Sequence, residues 1–329
     1  FKLDQTPIDG VLTDFAALSH FAKVGVDIML SDSTNAQKTE FTKSEAEVGK
    51  ALRQIISQSK QRVVVASFAS HIHRVQQICD AALLADRKVA VTGRSMIQNT
   101  EIARDLGYLN VPDDLIIDAY DAKDYPRDKL VVLCTGSQGE PLSALARMAN
   151  GEHRTIDIEA GDTVIISATP VPGNEKAVTR VKNALSKIGA DVYDKTVALV
   201  HVSGHAGSEE LKLMMALVKP KNFLPVHGEA QHLRAHCELA QRCGIPRENI
   251  FLLDNGDTLE LSDGKVTRGE QVENGIIYVD GLSVGDVSTI VLKDRKTLAS
   301  DGIVTAVCIV NSRKGSSVSE PELIMRGVT

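Results

Sequence analysis

Between residues 62 and 188 the chain repeats one pattern: a short uninterrupted apolar run, then a segment whose apolar positions recur at helical spacing. The runs at 62–68, 88–92, 129–134 and 163–167 read as strands. The segments at 72–86, 99–106, 141–149 and 175–188 read as helices, the third with Pro141 near its first turn. Strands that are apolar on both faces belong to a sheet covered on both sides, so the alternation predicts a parallel α/β sheet. Upstream, the apolar run 26–30 enters the polar turn cluster 31–35. Thr42-x-x-Glu45 then has the form of a capping box, followed by Val48, Leu52, Ile55 and Ile56 at helical spacing.

After Asp191 the character changes. Runs at 197–202 and 222–226 read as strands, each followed by a helical segment, 209–218 and 230–243. Residues 250–254, 258–261 and Val266 read as a strand and hairpin, with Asn255-Gly256 and Asp263-Gly264 as turn pairs. From about Glu273 the chain is rich in strand and turn signals, 302–310 reads as a buried strand, and 314–320 is the best candidate for a disordered loop.

Composition narrows the function classes. The chain has 329 residues, enough for about two domains, and a net charge of −6. A uniformly basic nucleic-acid coat is excluded, whereas a local basic groove, with Arg74 and Arg94 as candidates, is not. No apolar run approaches the ~18 residues of a membrane span, and no secretory signal is present. Cys79, Cys134, Cys237, Cys243 and Cys308 are scattered without a Cys-x-x-Cys pair, which reads as reduced, mostly buried thiols of a cytoplasmic protein. Trp is absent, so an aromatic platform for stacking bases is disfavoured.

Candidate chemistry lies in the loops that follow strand C-termini, the functional edge of an α/β sheet. Residues 134–141 form a Gly-rich loop that can cradle phosphate, but it lacks both the Walker and dinucleotide patterns, and a tight strand-to-helix turn is the plainer reading. His205, between Gly204 and Ala206, is either an exposed functional imidazole or a cap for the next helix. His227 follows an apolar strand and precedes Gly228-Glu229. Asp32 ends an apolar strand and is the carboxylate best placed to orient a histidine, although sequence cannot show that they meet. His71 and His73 lack accompanying metal ligands. His232 and His236 lack the Glu of a zincin motif and read as a solvated helix face.

Taken together, Asp32-Ser-Thr-Asn35, residues 66–74, Gly93-Arg-Ser95, residues 134–141, Ser203-Gly-His-Ala206 and Pro225-Val-His-Gly-Glu229 resemble ribonuclease J, in the order found in that family. It is a member of the β-CASP branch of the metallo-β-lactamase superfamily. Each motif alone is weak; their order over nearly the whole chain is specific. The resemblance implies a parallel-sheet β-CASP domain inserted into a partial metallo-β-lactamase αββα domain. Its boundaries would be 1–35 and 197–272 for the lactamase parts, 36–196 for β-CASP, and 273–329 for a linker and the start of a C-terminal domain.

The resemblance also implies roles. His205 would contact the scissile phosphate and protonate the leaving oxygen, steered by Asp32. His201, Val202, Ser203, Gly204 and His205 would bind substrate phosphate, and Ser70 would help hold the RNA 5′-phosphate. His227 would be a ligand of one of two catalytic divalent ions, zinc or manganese, and Asp280 a ligand of a structural cation. The family motif His-x-His-x-Asp-His is absent here, and residues 1–7 resemble the stretch that follows the family's Thr-Gly-Asp. The remaining ligands are therefore expected upstream, and this chain alone is expected to be inactive and to bind no catalytic metal tightly. The implied activity is that of a ribonuclease with endonuclease and 5′-to-3′ exonuclease modes, in rRNA processing and mRNA decay. Implied partners are RNA, a second copy of the chain in a dimer or tetramer, and RNA-decay proteins, with no membrane. The alternatives are a non-catalytic RNA-binding or scaffold paralogue, another β-CASP nuclease, and a nucleotide-binding module built on residues 135–141.

Overall fold

The computed structural model describes residues 1–277, 279–280, 283–284 and 289–327. Two compact units are present: residues 1–253 with 260–267, and residues 254–259 with 268–329.

The first unit opens with α1 (Phe15–Val24), β1 (Ile28–Asp32) and α2 (Glu45–Gln58). The repeating βα pattern follows as β2 (Val63–Ala66), α3 (Ile72–Leu84), β3 (Lys88–Thr92), α4 (Arg94–Asp105), β4 (Ile116–Asp118), β5 (Leu130–Cys134), α5 (Ala144–Ala149), β6 (Thr163–Ile166), α6 (Glu175–Ile188) and β7 (Asp191–Tyr193). It closes with α7 (Ser208–Val218), β8 (Asn222–Val226), α8 (Ala230–Arg242) and the hairpin β9 (Leu259–Ser262) and β10 (Lys265–Arg268).

A six-stranded sheet runs in the order β4-β3-β5-β2-β6-β7 with every pairing parallel. Side chains alternate between its faces. Val63, Val65, Val89, Val91, Val131, Leu133 and Ile165 pack with α2, α3 and α4. Val64, Ala66, Ala90, Val132, Cys134, Val164 and Ile166 pack with α5 and α6. Covering both faces is why these strands are uninterrupted apolar runs. A second sheet pairs β1 with β8, also parallel, and registers Asp32 opposite Val226. Its core is Phe223 with Leu211, Met215, Leu239 and Ala240 from α7 and α8.

Buried polar groups join the two sheets. Arg74 has no exposed surface. Its Nε donates to Glu45 Oε1 at 2.7 Å, its Nη2 also bonds Glu45, and its Nη1 bonds Ser167 and the Val200 carbonyl, the latter at 2.8 Å. Burial alone would raise the Glu45 carboxyl. The His71 hydrogen bond and the charge on Arg74 outweigh it and bring Glu45 down to about 2. Glu210, also fully buried, accepts backbone N–H groups from Leu3 at 2.7 Å and from Thr42 and Gly207 at 2.8 Å. Gly207 is required here, because a Cβ would lie 2.0 Å from the Glu40 carbonyl oxygen.

Several sequence expectations need correction. Thr42-x-x-Glu45 is not a capping box. Ser44 caps α2, Thr42 Oγ1 donates to the His205 carbonyl at 2.7 Å, and Glu45 holds Arg74. No strand forms over 197–202, where Arg74 and Ser167 instead bond the Val200 carbonyl. Residues 250–254 contribute a single bridge, Phe223 to Ile250. Only Cys79 and Cys134 are buried, their thiols pushed up to about 12 by burial, and Cys243 and Cys308 are exposed.

The second unit contains β11 (Val279–Asp280), β12 (Ser283–Val284), α9 (Thr289–Asp301), β13 (Ile303–Val307), β14 (Val310–Asn311), β15 (Ser316–Ser317) and β16 (Glu322–Arg326). β13 pairs antiparallel with β16 and is exposed rather than buried, and 314–320 holds half of the hairpin β14–β15. The sequence pattern after Glu273 gave no sign of α9. Among the described residues no helix is long and apolar enough to cross a membrane.

Removing Arg74 leaves Glu45 buried without its partner. Arg74→Ala is expected to lower unfolding stability by about 3–5 kcal/mol in urea titrations. The pair Glu45→Gln with Arg74→Met should lose less, since no buried charge is then left alone.

Candidate active site

Parallel pairing of β1 and β8 brings their C-terminal ends together, and the site is built there. Asp32 is the last residue of β1, and His227 directly follows β8. His205 arrives from the crossing that leaves the six-stranded sheet. Its Nδ1 lies 2.6 Å from Asp32 Oδ2, and His227 Nδ1 lies 3.2 Å from Asp32 Oδ1. Thr34 adds its N–H at 3.0 Å and its hydroxyl at 2.8 Å to Oδ1. Burial would raise the Asp32 carboxyl. Hydrogen bonds from Thr34, His205 and His227 more than offset this and hold it well below the usual carboxylate range. An ionised carboxylate only accepts, so both imidazoles carry hydrogen on Nδ1 and turn Nε2 away from Asp32. The rings stack with centroids 5.3 Å apart and planes 21° apart.

The loop carrying His205 is fixed by side chains rather than by regular structure. Asn35 Nδ2 donates to Ser203 Oγ and to the His205 carbonyl, both at 2.9 Å. Ser203 Oγ accepts the His205 N–H at 3.1 Å. His205 does not cap the following helix; Gly207 occupies that position. His227 has φ of +56°, a left-handed conformation that costs a non-glycine residue energy; its carbonyl lies 3.0 Å from Thr34 Oγ1, whose single hydroxyl hydrogen is shared between that carbonyl and Asp32 Oδ1.

The family model for the ribonuclease J β-CASP domain matches residues 60–185. That for the Zn-dependent metallo-hydrolase RNA specificity domain matches 171–252, and that for the ribonuclease J C-terminal domain matches 290–329. A ribonuclease J of Corynebacterium glutamicum is 45% identical over 99% of this chain and 45% of its own length. One of Mycolicibacterium smegmatis is 46% identical over 99% and 58%, and ribonuclease J2 of Bacillus subtilis 43% identical over 99% and 59%. This chain belongs to the ribonuclease J family. It spans about half the length of the relatives it matches.

One ligand-capable atom from each of Asp32, His205 and His227 lies within 4.8 Å of the others. The donor chemistry does not make these three a closed metal site, because the Asp32 carboxylate is engaged by both Nδ1 atoms. What fits a divalent ion is His227, two-thirds exposed with its Nδ1 backed by a carboxylate, the arrangement found behind metal-ligating histidines. A single imidazole supplies one of the four ligands a zinc ion takes.

Other residues that the ribonuclease J resemblance singles out have different surroundings. His201 is half-buried, its Nδ1 has no partner, and burial together with the charge on Arg74 lowers it to about 4. It is therefore a neutral ring at neutral pH. Val202 is buried, and Gly204 is exposed. Ser70 is exposed and lines a shallow pocket of about 480 Å³ with Phe68, His71, Ile72, His73 and Tyr108. The Asp280 side chain lies outside the described residues. Residues 135–141 form a packed turn: Gln138 bonds Thr169 and Val171, and Gly139 abuts the backbone of α6.

His236 overturns the reading of a solvated helix face. It is fully buried, its Nδ1 lies 3.0 Å from Ser33 Oγ, and its ring meets Phe223 edge-on. Its neighbours at i+3 and i+4, Leu239 and Ala240, mark the core face of α8, and that spacing could have revealed it. Ser33 hydrogen-bonds the Ser31 carbonyl at 3.3 Å, so His236 braces the backbone on either side of Asp32.

His201 and His236 each have a folded pKa of about 4, lowered by burial. The unfolded chain, near pKa ~6.5, binds more protons between those values. Stability should therefore fall as pH drops from ~6.5 to ~4, with no further loss from these two groups below that. Urea midpoints across this window would show it, and His236→Gln should flatten the slope by about half.

Proposed function

We propose that this chain supplies the proton-donating and RNA-binding part of a metal-dependent ribonuclease that hydrolyses RNA phosphodiesters. The observation that carries the reading is Asp32, one carboxylate holding two imidazoles by Nδ1 so that both Nε2 atoms are available on the side away from it. Family membership and the ribonuclease names of the relatives support it. In this reading 1–35 and 197–272 belong to a metallo-β-lactamase domain and 36–196 to the β-CASP domain. Residues 273–329 lead into a C-terminal domain.

The two rings do different work. His205, whose Nδ1–H is fixed on Asp32, presents Nε2 to the departing 3′ oxygen and gives it a proton. The nearby carboxylate stabilises the imidazolium that this requires. His227 Nε2 is one ligand of a divalent ion, zinc or manganese, and the other ligands come from outside this chain. When bound, a metal pair supplies an activated water and charge stabilisation at the phosphate. Ser203, Gly204 and the backbone of 201–205 seat the phosphate, while Asn35 and Thr42 keep that loop in register with Asp32. Ser70 contacts the 5′-phosphate end.

The test is hydrolysis of 5′-monophosphorylated RNA with manganese, by a polypeptide of the relatives' length that contains this sequence. His205→Ala should lower kcat by about 10²–10⁴-fold with metal content unchanged. His227→Ala should abolish cleavage and lower metal content. RNA binding without cleavage by the unaltered protein would refute the catalytic reading.

A further inference from the structure

A histidine occupies a position of α8 where an apolar residue would pack at lower cost. His236 shares the buried face of the helix with Leu239 and Ala240, and its ring meets Phe223 of β8 edge-on at 4.7 Å. Burial outweighs the attraction of the Asp32 carboxylate and brings the imidazole down to about 4, so the ring is neutral at neutral pH. Its Nε2 is buried without a hydrogen-bond partner among the described residues. A buried polar atom left unpaired costs folding free energy, and a leucine at 236 would avoid that cost. The polar part of the ring makes one contact, Nδ1 to Ser33 Oγ at 3.0 Å.

That contact has a direction. Ser33 has one hydroxyl hydrogen, and the Ser31 carbonyl at 3.3 Å can only accept it. Ser33 Oγ is then left to accept from His236 Nδ1–H, which makes Nε2 the bare nitrogen. The relay from His236 through Ser33 to the Ser31 carbonyl grips the chain on both sides of Asp32. Ser33 itself has no exposed surface, and its carbonyl accepts the Ala36 N–H at 2.9 Å, closing the turn from which Thr34 bonds Asp32 Oδ1 at 2.8 Å. The β8 side meets the same residue. A Cβ built on Gly228, next to His227, would lie 3.4 Å from Ser33 Cβ and 3.0 Å from His232 Cβ, so a side chain there would be crowded. α8 starts at Ala230, three residues after His227. The helix that carries His236 therefore grows out of the strand end that carries His227, and reaches back through Ser33 to the strand end that carries Asp32.

A rule broken in a well-packed core points to a functional site, and this one lies directly beneath Asp32. We propose that His236 and Ser33 are positioning residues for the reaction, their hydrogen bond holding Asp32 at its distances from His205 and His227 while neither touches substrate. Rigid support of this kind keeps a reacting group where small displacements are costly in rate. The inference rests on the ribonuclease reading above.

The experiment measures kcat and KM for manganese-dependent hydrolysis of 5′-monophosphorylated RNA by a polypeptide of the relatives' length that contains this sequence. Urea midpoints and bound manganese are measured on the same preparations. His236→Leu removes the hydrogen bond and the unpaired nitrogen together. Its urea midpoint should equal or exceed that of the unaltered protein, while kcat falls about 10- to 100-fold with KM and metal content unchanged. His236→Asn, whose amide nitrogen can take the place of Nδ1, should recover most of kcat although it fills the core less well. Ser33→Ala should lower kcat as far as His236→Leu does, and the double variant no further, because the two residues act as one unit. Unchanged kcat in His236→Leu, beside cleavage by the unaltered protein, would overturn the positioning role alone. So would a loss that follows bound metal, or losses that multiply in the double variant. Absence of cleavage by the unaltered protein would overturn the ribonuclease reading and the positioning role with it.

Discussion

Arg74 has no exposed surface, and its donors are divided among Glu45 at the start of α2, Ser167 just past β6 and the carbonyl of Val200. Those three points belong to the entry into the six-stranded sheet, its functional edge and the exit from it. A guanidinium in a dry environment tolerates little displacement of its acceptors, because an unpaired buried charge is costly. The exit segment is therefore fixed one residue before His201, although it has no strand or helix of its own. Glu210 makes the matching constraint from the other side, gathering the N–H groups of Leu3, Thr42 and Gly207 on one carboxylate. Between these anchors the 201–205 loop has few remaining freedoms, and Asn35 and Thr42 remove more by bonding the His205 carbonyl.

The parallel sheet was legible because its physics is local. Strands covered on both faces must be apolar throughout, and the helices between them must carry an apolar stripe. The shorter edge strands β4 and β7, three residues each, leave no such run and were missed. The crossing at 197–202 misled for the opposite reason. It is as apolar as a strand, but its carbonyl bonds go to Arg74 and Ser167 side chains rather than to a ladder. Thr42 and Glu45 have the spacing of a capping box, yet tertiary partners claim both residues. Local pattern identifies which groups need partners; it does not say which distant group will satisfy them.

The same distinction holds at the site. Asp32, His205 and His227 could be singled out because each comes at the end of an apolar run in the sequence. Their meeting depends on β1 pairing with β8 across nearly two hundred residues, which no local signal encodes. Thr34 and Asn35 belong to the motif that begins at Asp32, but their work is visible only in three dimensions. Thr34 presses on both Asp32 and the strained His227 backbone, while Asn35 reaches the His205 loop. His236 was hidden by its type, since a histidine is usually assigned to a polar face. Its burial follows from Leu239 and Ala240 sharing its side of α8.

One carboxylate sets the tautomer of two histidines, yet their environments separate their chemistry. Asp32 meets His205 at 2.6 Å and His227 at 3.2 Å, and His227 also shares its Nδ1–H with Thr34 Oγ1 at 3.0 Å. The shorter contact places the carboxylate's charge against His205, the ring assigned proton donation in the proposed reaction. The longer, shared contact holds His227 by Nδ1, and its Nε2 is the atom that would meet a metal ion in the proposed reaction. The greater exposure of His227, with its left-handed backbone, aims that nitrogen out of the chain rather than into it. Under the proposed function, the asymmetry of a single hydrogen-bonded carboxylate would divide proton transfer from metal binding between two stacked rings.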